Sequence, residues 1–154
     1  MSPQIYTIGY GNRNIQAFIQ LLKKYQIDIL IDVRSVPQSR YLPDYNSKSL
    51  ELHLVNHQLK YVFLGKELGG RPSDPSCYTD GNVDYDKVTS RLFFLKGIAE
   101  VESLHDEGLT VAVMCAEQSP VHCHRKLLIG DYLHGKGYEV VHVDRDGSIL
   151  NELF

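Results

Sequence analysis

The sequence predicts an α/β fold: a single domain over residues 1–154, with a parallel or mostly parallel sheet of about five strands and helices on both faces. Three observations lead there. Apolar runs of strand length alternate with stretches whose apolar residues recur at helical spacing. The second run is nearly continuous in apolar residues, as expected of a strand covered on both faces. The glycine-rich and polar stretches follow strand runs, at the sheet edge where open parallel sheets bind their ligands.

Ile5-Tyr6-Thr7-Ile8 forms the first strand, ended by Gly9 and Gly11. With Asn12 or Asn14 as N-cap, Ile15, Phe18, Ile19 and Leu22 fall at i, i+3, i+4 and i+7, which predicts an amphipathic helix. IDILIDV, residues 27–33, is the second strand, and strand, helix, strand in this order implies a right-handed parallel crossover. Pro37 and Pro43 mark a long loop, and Ser47 is placed to cap a helix carrying Leu50 and Leu54. YVFLG, 61–65, is the third strand. KELGGRPSDPSCYTDGNVD, 66–84, has glycines and prolines and no periodicity, and a loop of that length is usually functional or mobile. A helix is expected from Tyr85 to about His105, with Val88, Leu92, Leu95 and Ala99 on one stripe. LTVAVM, 109–114, is the fourth strand. Ser119-Pro120 suits the N-cap and first position of a helix running to Gly135 or Gly137, and EVVHV, 139–143, is the fifth strand. The tail DRDGSILNELF suits either a short helix or pairing with a partner.

Composition narrows the function classes. A net charge of −3 supplies no global basic field to attract nucleic acid or acidic lipid. No basic segment followed by an apolar one opens the chain, and no apolar run has the length that spans a bilayer, so neither a signal peptide nor a membrane partner is expected. Three cysteines, an odd number, do not suggest a secreted disulfide framework; a cytoplasmic setting is expected. No Walker lysine loop is present, and GYGNRN lacks the third glycine of a dinucleotide fingerprint, so no cofactor is expected.

Four loops at one sheet edge supply Arg34, Arg40, Arg71 and Arg125. Guanidinium forks match phosphate and carboxylate oxygens, and the free N–H groups after Ser119 would add partial positive charge. Each arginine alone is as readily a partner of Asp32, Glu67 or Glu117; together they predict an anion site. Asp32 closes an apolar strand, where holding Arg34 or capping loop N–H groups is the more natural role than general base or metal ligand.

The stretch CAEQSPVHCHRK, 115–126, concentrates the reactive side chains. Cys115, His122, Cys123 and His124 are competent zinc ligands, yet 122–124 are consecutive on an expected helix and point about 100° apart. This stretch contains no CxxC or HxxxH pair, so no metal is expected. The zinc deaminase pattern needs its two halves on separate helices, whereas only two residues separate Glu117 from Pro120. A phosphatase-like Cys-x5-Arg loop is excluded because position 121 is valine. Thiol chemistry fits better. Cys123 sits near a helix start between two histidines and before Arg125, all of which favour thiolate; Cys115 is either an inert core residue or a second thiol, able to form a reversible disulfide if the backbones approach closely enough. His122 and His124 suit proton transfer near neutral pH, with Glu117 orienting one of them.

TIGYGN at 7–12, DVRSVPQSR at 32–40, ELGGR at 67–71 and MCAEQSPVHCHR at 114–125 together resemble the family catalogued as Domain of Unknown Function 488, from Tyr6 to about Val143. The resemblance implies a shared site built from Gly9, Asn12, Asp32, Arg34, Arg40, Gly69, Gly70, Arg71, Cys115, Glu117, Cys123, His124 and Arg125. This chain has Tyr10-Gly11 where members often carry histidine-serine. A weaker, fold-level likeness is to rhodanese-type sulfurtransferases, in which Cys115 would hold the sulfur-carrying position; the loop after Cys115 lacks their glycines and contains Pro120.

The leading expectation is an enzyme acting on a phosphate-bearing substrate, a nucleotide or nucleic-acid end. Arg34, Arg40, Arg71 and Arg125 bind its anion, Cys115 or Cys123 serves as nucleophile or redox thiol, and Glu117 and His124 handle protons; Gly9, Asn12, Asp32, Gly69, Gly70 and His122 support them. One alternative is a non-catalytic nucleic-acid-binding module in which Tyr41 and Tyr45 stack on bases. Another is a thiol-based sulfurtransferase or redox sensor.

Overall fold

The computed structural model describes residues 3–121 and 123–150. Its elements run β1 (Ile5–Gly9), α1 (Ile15–Lys24), β2 (Ile29–Asp32), a 3-10 turn (Pro43–Tyr45), α2 (Ser47–Val55), β3 (Lys60–Phe63) and α3 (Gly65–Leu68). After a 3-10 turn (Pro75–Cys77) come β4 (Tyr78–Thr79), β5 (Asn82–Val83), α4 (Tyr85–Val88), α5 (Leu92–Asp106) and β6 (Val111–Cys115). A π-helical stretch (Arg125–Gly130), α6 (Asp131–Gly135) and β7 (Val140–His142) follow. Five strands form one all-parallel sheet in the order β3-β2-β6-β1-β7; β4 and β5 form a separate antiparallel hairpin.

Alternate residues of the central strands feed two cores, because successive side chains on a strand point to opposite faces. Ile8, Leu30, Ala112 and Met114 pack with Ile15, Phe18, Ile19 and Leu22 of α1 and with Leu50 and Leu54 of α2. Ile5, Ile29, Ile31, Val111 and Val113 pack on the other face against Leu68, against Phe94, Ile98 and Val101 of α5, and against Leu128, Ile129 and Leu133. The inserted strand β6 lies between β1 and β2, and its register sets Cys115 beside Gly9 and Met114 beside Asp32. Three carboxyl ends therefore finish level with one another.

Several local expectations change. Asn14, not Asn12, caps α1, its Oδ1 accepting from Ala17 N at 2.8 Å. Asn46 rather than Ser47 is the N-cap residue of α2, and its side chain instead accepts from Ser39 N. The helix expected over 85–105 is broken between α4 and α5. Thr89 and Ser90 hydroxyls donate back to the carbonyls of Asp86 and Lys87, which ends the first helix and resets the phase of the second. The buried stripe is consequently Phe94, Ile98 and Val101, while Leu92, Leu95 and Ala99 are exposed. The aperiodic 66–84 segment holds the end of α3 and the small hairpin. The described part of the tail returns along β7, with a Val143–Ile149 antiparallel bridge and Leu150 N donating to His142 O. Among the described residues no helix is long and apolar enough to cross a membrane.

Candidate active site

A cavity of ≈ 410 Å³ opens at the carboxyl ends of β1, β2 and β6. Tyr10, Arg34, Ser35 and Gln38 line it from the first two loops, Gly70 and Arg71 from the long segment, Tyr85 from the start of α4, and Cys115, Ala116, Glu117, Cys123 and His124 from the loop after β6.

Glycine makes the assembly possible. A Cβ at Gly9 would stand 1.4 Å from Glu117 O, so only glycine lets the 116–118 backbone cross the end of β1. A Cβ at Gly70 would come 3.0 Å from His124 Nδ1, so the long segment reaches the imidazole only by having no side chain there. Gly69 lies similarly against Ser35, whose hydroxyl accepts from Arg71 N at 2.9 Å.

Arg34 is anchored. Its Nε and Nη2 donate to the two oxygens of fully buried Asp32 at 2.9 and 2.7 Å, Tyr61 Oη donates to the same carboxylate at 2.7 Å, and Arg34 Nη1 donates to Tyr10 Oη at 3.3 Å. Burial works against the guanidinium charge, but hydrogen bonding and attraction from Asp32 outweigh it, so Arg34 stays charged above its ordinary range. Burial and then the Asp32 charge push the Tyr61 hydroxyl up. Asp32 is thus the holder of Arg34, the structural role expected for it.

The four arginines separate. Arg34 and Arg71 line the cavity; Arg40 is exposed on its loop and does not. Arg125 is wholly buried beneath the floor, donating to Thr7 Oγ1 at 2.9 Å, Gln118 O at 2.7 Å and Val143 O at 3.2 Å. It ties the cysteine loop to β1 and β7. The helix expected at Ser119-Pro120 begins only after His124, with Cys123 N accepted by Pro120 O, so the N–H cradle foreseen after Ser119 is not formed. Asn12 is exposed, hydrogen-bonded to Gln118 Nε2, outside the cavity. His122 lies outside the described residues.

The thiols do converge. Cys115 Sγ and Cys123 Sγ are 2.7 Å apart and unbridged, 2% and 4% exposed at the cavity floor. Cys115 Sγ also lies 3.6 Å from Glu117 O, an acceptor. Burial, then the hydrogen bond to Cys123, push the Cys115 thiol well up. The same hydrogen bond from Cys115, helped by His124, brings Cys123 down despite its burial. The two shifts run in opposite directions, Cys123 toward thiolate and Cys115 toward thiol.

His124 completes the arrangement. Its Nε2 lies 3.0 Å from Val33 O, and a carbonyl can only accept, so Nε2 bears the hydrogen. In the neutral ring Nδ1 is then the basic nitrogen, and it faces Cys123 Sγ at 3.8 Å. The Val33 carbonyl, rather than Glu117, orients the imidazole; Glu117 is exposed at the cavity rim. Tyr10, which stacks on Tyr45 with ring centroids 4.0 Å apart, and Tyr61 are among the residues at the site that sequence reasoning missed, with Gln38 and Tyr85 of the cavity wall. Among the described residues no group of three or more His, Cys, Asp or Glu could hold a metal ion.

The pattern of the family described as Domain of unknown function DUF488 matches residues 14–133, a span that includes every cavity residue except Tyr10. No curated protein and no solved structure matches the chain.

Proposed function

The chain belongs to the DUF488 family, a family of unknown function, and from its own geometry we propose that it is a cysteine-dependent enzyme acting on a small substrate that carries an acidic group, such as a phosphate. The observation that carries this reading is the Cys123–His124 pair at the cavity floor. Its imidazole has a fixed tautomer and its basic nitrogen faces the sulfur.

In this reading Cys123 is the nucleophile, present as thiolate without a separate deprotonation step. His124, with Nδ1 beside the sulfur, takes up a proton and passes it to a leaving group. Arg34, rigid on Asp32, and Arg71, exposed on its loop, receive the substrate's anion. Glu117 at the rim is the second proton-handling group. A non-catalytic nucleic-acid module is less well supported: Tyr45 is 1% exposed and stacked on Tyr10, and Arg125 is in the core, so two of its contact groups are withdrawn.

The test is site-resolved alkylation with iodoacetate and iodoacetamide across pH. Cys123 should react at pH values where free thiols are protonated, and should favour the anionic reagent more than free cysteine does. Arg71→Ala should remove that preference while leaving iodoacetamide reactivity in place. A Cys123 no more reactive than a free thiol at any pH overturns the reading.

A further inference from the structure

We infer that Cys115 is the resolving thiol of this site, so that the substrate is an acidic molecule with an S–S bond, which is reduced as a Cys115–Cys123 disulfide forms. This rests on Cys123 being the nucleophile, and it assigns what the second thiol is for.

The two sulfurs are 2.7 Å apart, so closing them to a disulfide of about 2.05 Å requires a shift of less than about 1 Å. Their order of access is set by the fold. Cys115 ends the central strand β6 and is the more deeply buried of the two, while Cys123 sits on the loop above, beside His124. An electrophile entering the cavity meets Cys123 first. Cys115 is reached by whatever Cys123 already carries. Burial at the end of β6 favours the protonated form of Cys115, which leaves it the less reactive of the two thiols until Cys123 carries an electrophilic sulfur beside it.

The cavity selects the substrate. At ≈ 410 Å³ it is far larger than a peroxide requires, and the guanidinium groups of Arg34 and Arg71 line it beside the thiols. A compact organic disulfide with carboxylate or similar acidic groups fits both features.

The steps balance. The Cys123 thiolate attacks one sulfur of R–S–S–R′, forming Cys123–S–S–R and expelling R′–S⁻. Cys115 gives its proton to that thiolate, by way of His124 or solvent, and its sulfur attacks Cys123 Sγ, forming the internal disulfide and expelling R–S⁻. Two electrons pass from the thiol pair to the substrate. Two equivalents of a low-molecular-weight thiol return the enzyme to its starting state and leave as their own disulfide.

The probe is dithiobis(nitrobenzoate), an aromatic disulfide with two carboxylates whose released thiolate is coloured. Under stoichiometric reagent, the wild-type chain should release two equivalents of coloured thiolate rapidly. It should end without an adduct, lighter by two hydrogens, with Cys115 and Cys123 linked in a peptide map. Cys115→Ser should release one equivalent and retain the adduct on Cys123. Neutral dithiodipyridine should give the same products with a smaller advantage over free cysteine. A wild-type chain that keeps a stable adduct on a fast-reacting Cys123 overturns the resolving role and leaves the nucleophile intact. A Cys123 that reacts no faster than free cysteine with either reagent overturns both. The wild-type mass readout stands even if the serine variant fails to fold.

Discussion

At the scale of single residues the account depends on two rigid holders, Asp32 for Arg34 and the Val33 carbonyl for His124. Asp32→Ala leaves a buried guanidinium without its counter-charge and should cost about 3–5 kcal/mol in urea unfolding, the range for breaking a buried pair. Tyr61→Phe removes one hydrogen bond to the same carboxylate and should cost only about 1–2 kcal/mol. The reverse order of the two would contradict the network as described. Gly70→Ala puts a methyl group against the His124 ring. Displacing the imidazole should raise the pH at which Cys123 is alkylated, and so slow the reaction in mildly acidic solution, because His124 helps hold the thiolate. Equal rates for Gly70→Ala and the wild type would show that the ring does not act on the sulfur. Of these groups, Asp32, Arg34, Gly70 and His124 were legible in the sequence because each sits in a compact motif at a strand end. Tyr10 and Tyr61 were not. A tyrosine is ordinary in an apolar strand, and only the folded register shows that one hydroxyl lies on Asp32 and another on Arg34.

Among the elements, the loop after β6 is held by Arg125 rather than by a helix cap. Its guanidinium takes the carbonyls of Gln118 and Val143 and the Thr7 hydroxyl, and among the described residues no carboxylate pairs with it. The sequence alone counted Arg125 with the anion-binding arginines, since a basic residue after a histidine-rich turn gives no sign of pointing inward. Arg125→Met keeps much of the volume but abandons several buried acceptors at about 1–3 kcal/mol each. Chemical denaturation should show a loss of about 3 kcal/mol or more, and Cys115 and Cys123 should lose their selective reactivity together. Unchanged stability would mean that the loop is fixed by something else. The helix break at 89–91 was also invisible to periodicity, because hydroxyl-to-carbonyl bonds of Thr89 and Ser90 interrupt a pattern that reads as continuous.

For the whole molecule, the parallel sheet followed from the order of apolar runs, and the all-parallel five-strand sheet bears this out. What the pattern could not supply was the insertion of β6 between β1 and β2, which brings Cys115 level with Gly9 and Met114 level with Asp32. Stability should depend on pH in a way that reports the same interior. His142 is pushed down to about 3 by burial and by the Arg125 charge. Its folded value lies below its unfolded one, so its contribution is complete above about 6.5 and is lost as pH falls from there toward 3. The thiol pair adds a second feature. Below the ordinary thiol range the unfolded chain holds one more proton than the folded pair, and above that range one fewer. The pair therefore stabilises most near about pH 8.5 and less on either side. A Cys115→Ser/Cys123→Ser double variant should flatten the alkaline side of the profile, and a profile unchanged by it would contradict the opposite shifts of the pair. The most direct measurement is the ultraviolet absorbance of thiolate as a function of pH, compared between the wild type and Cys123→Ser. The account predicts one thiolate per chain at neutral pH, absent from the variant and lost from the wild type only on acidification. Thiols that all remain protonated until the ordinary thiol range would contradict it.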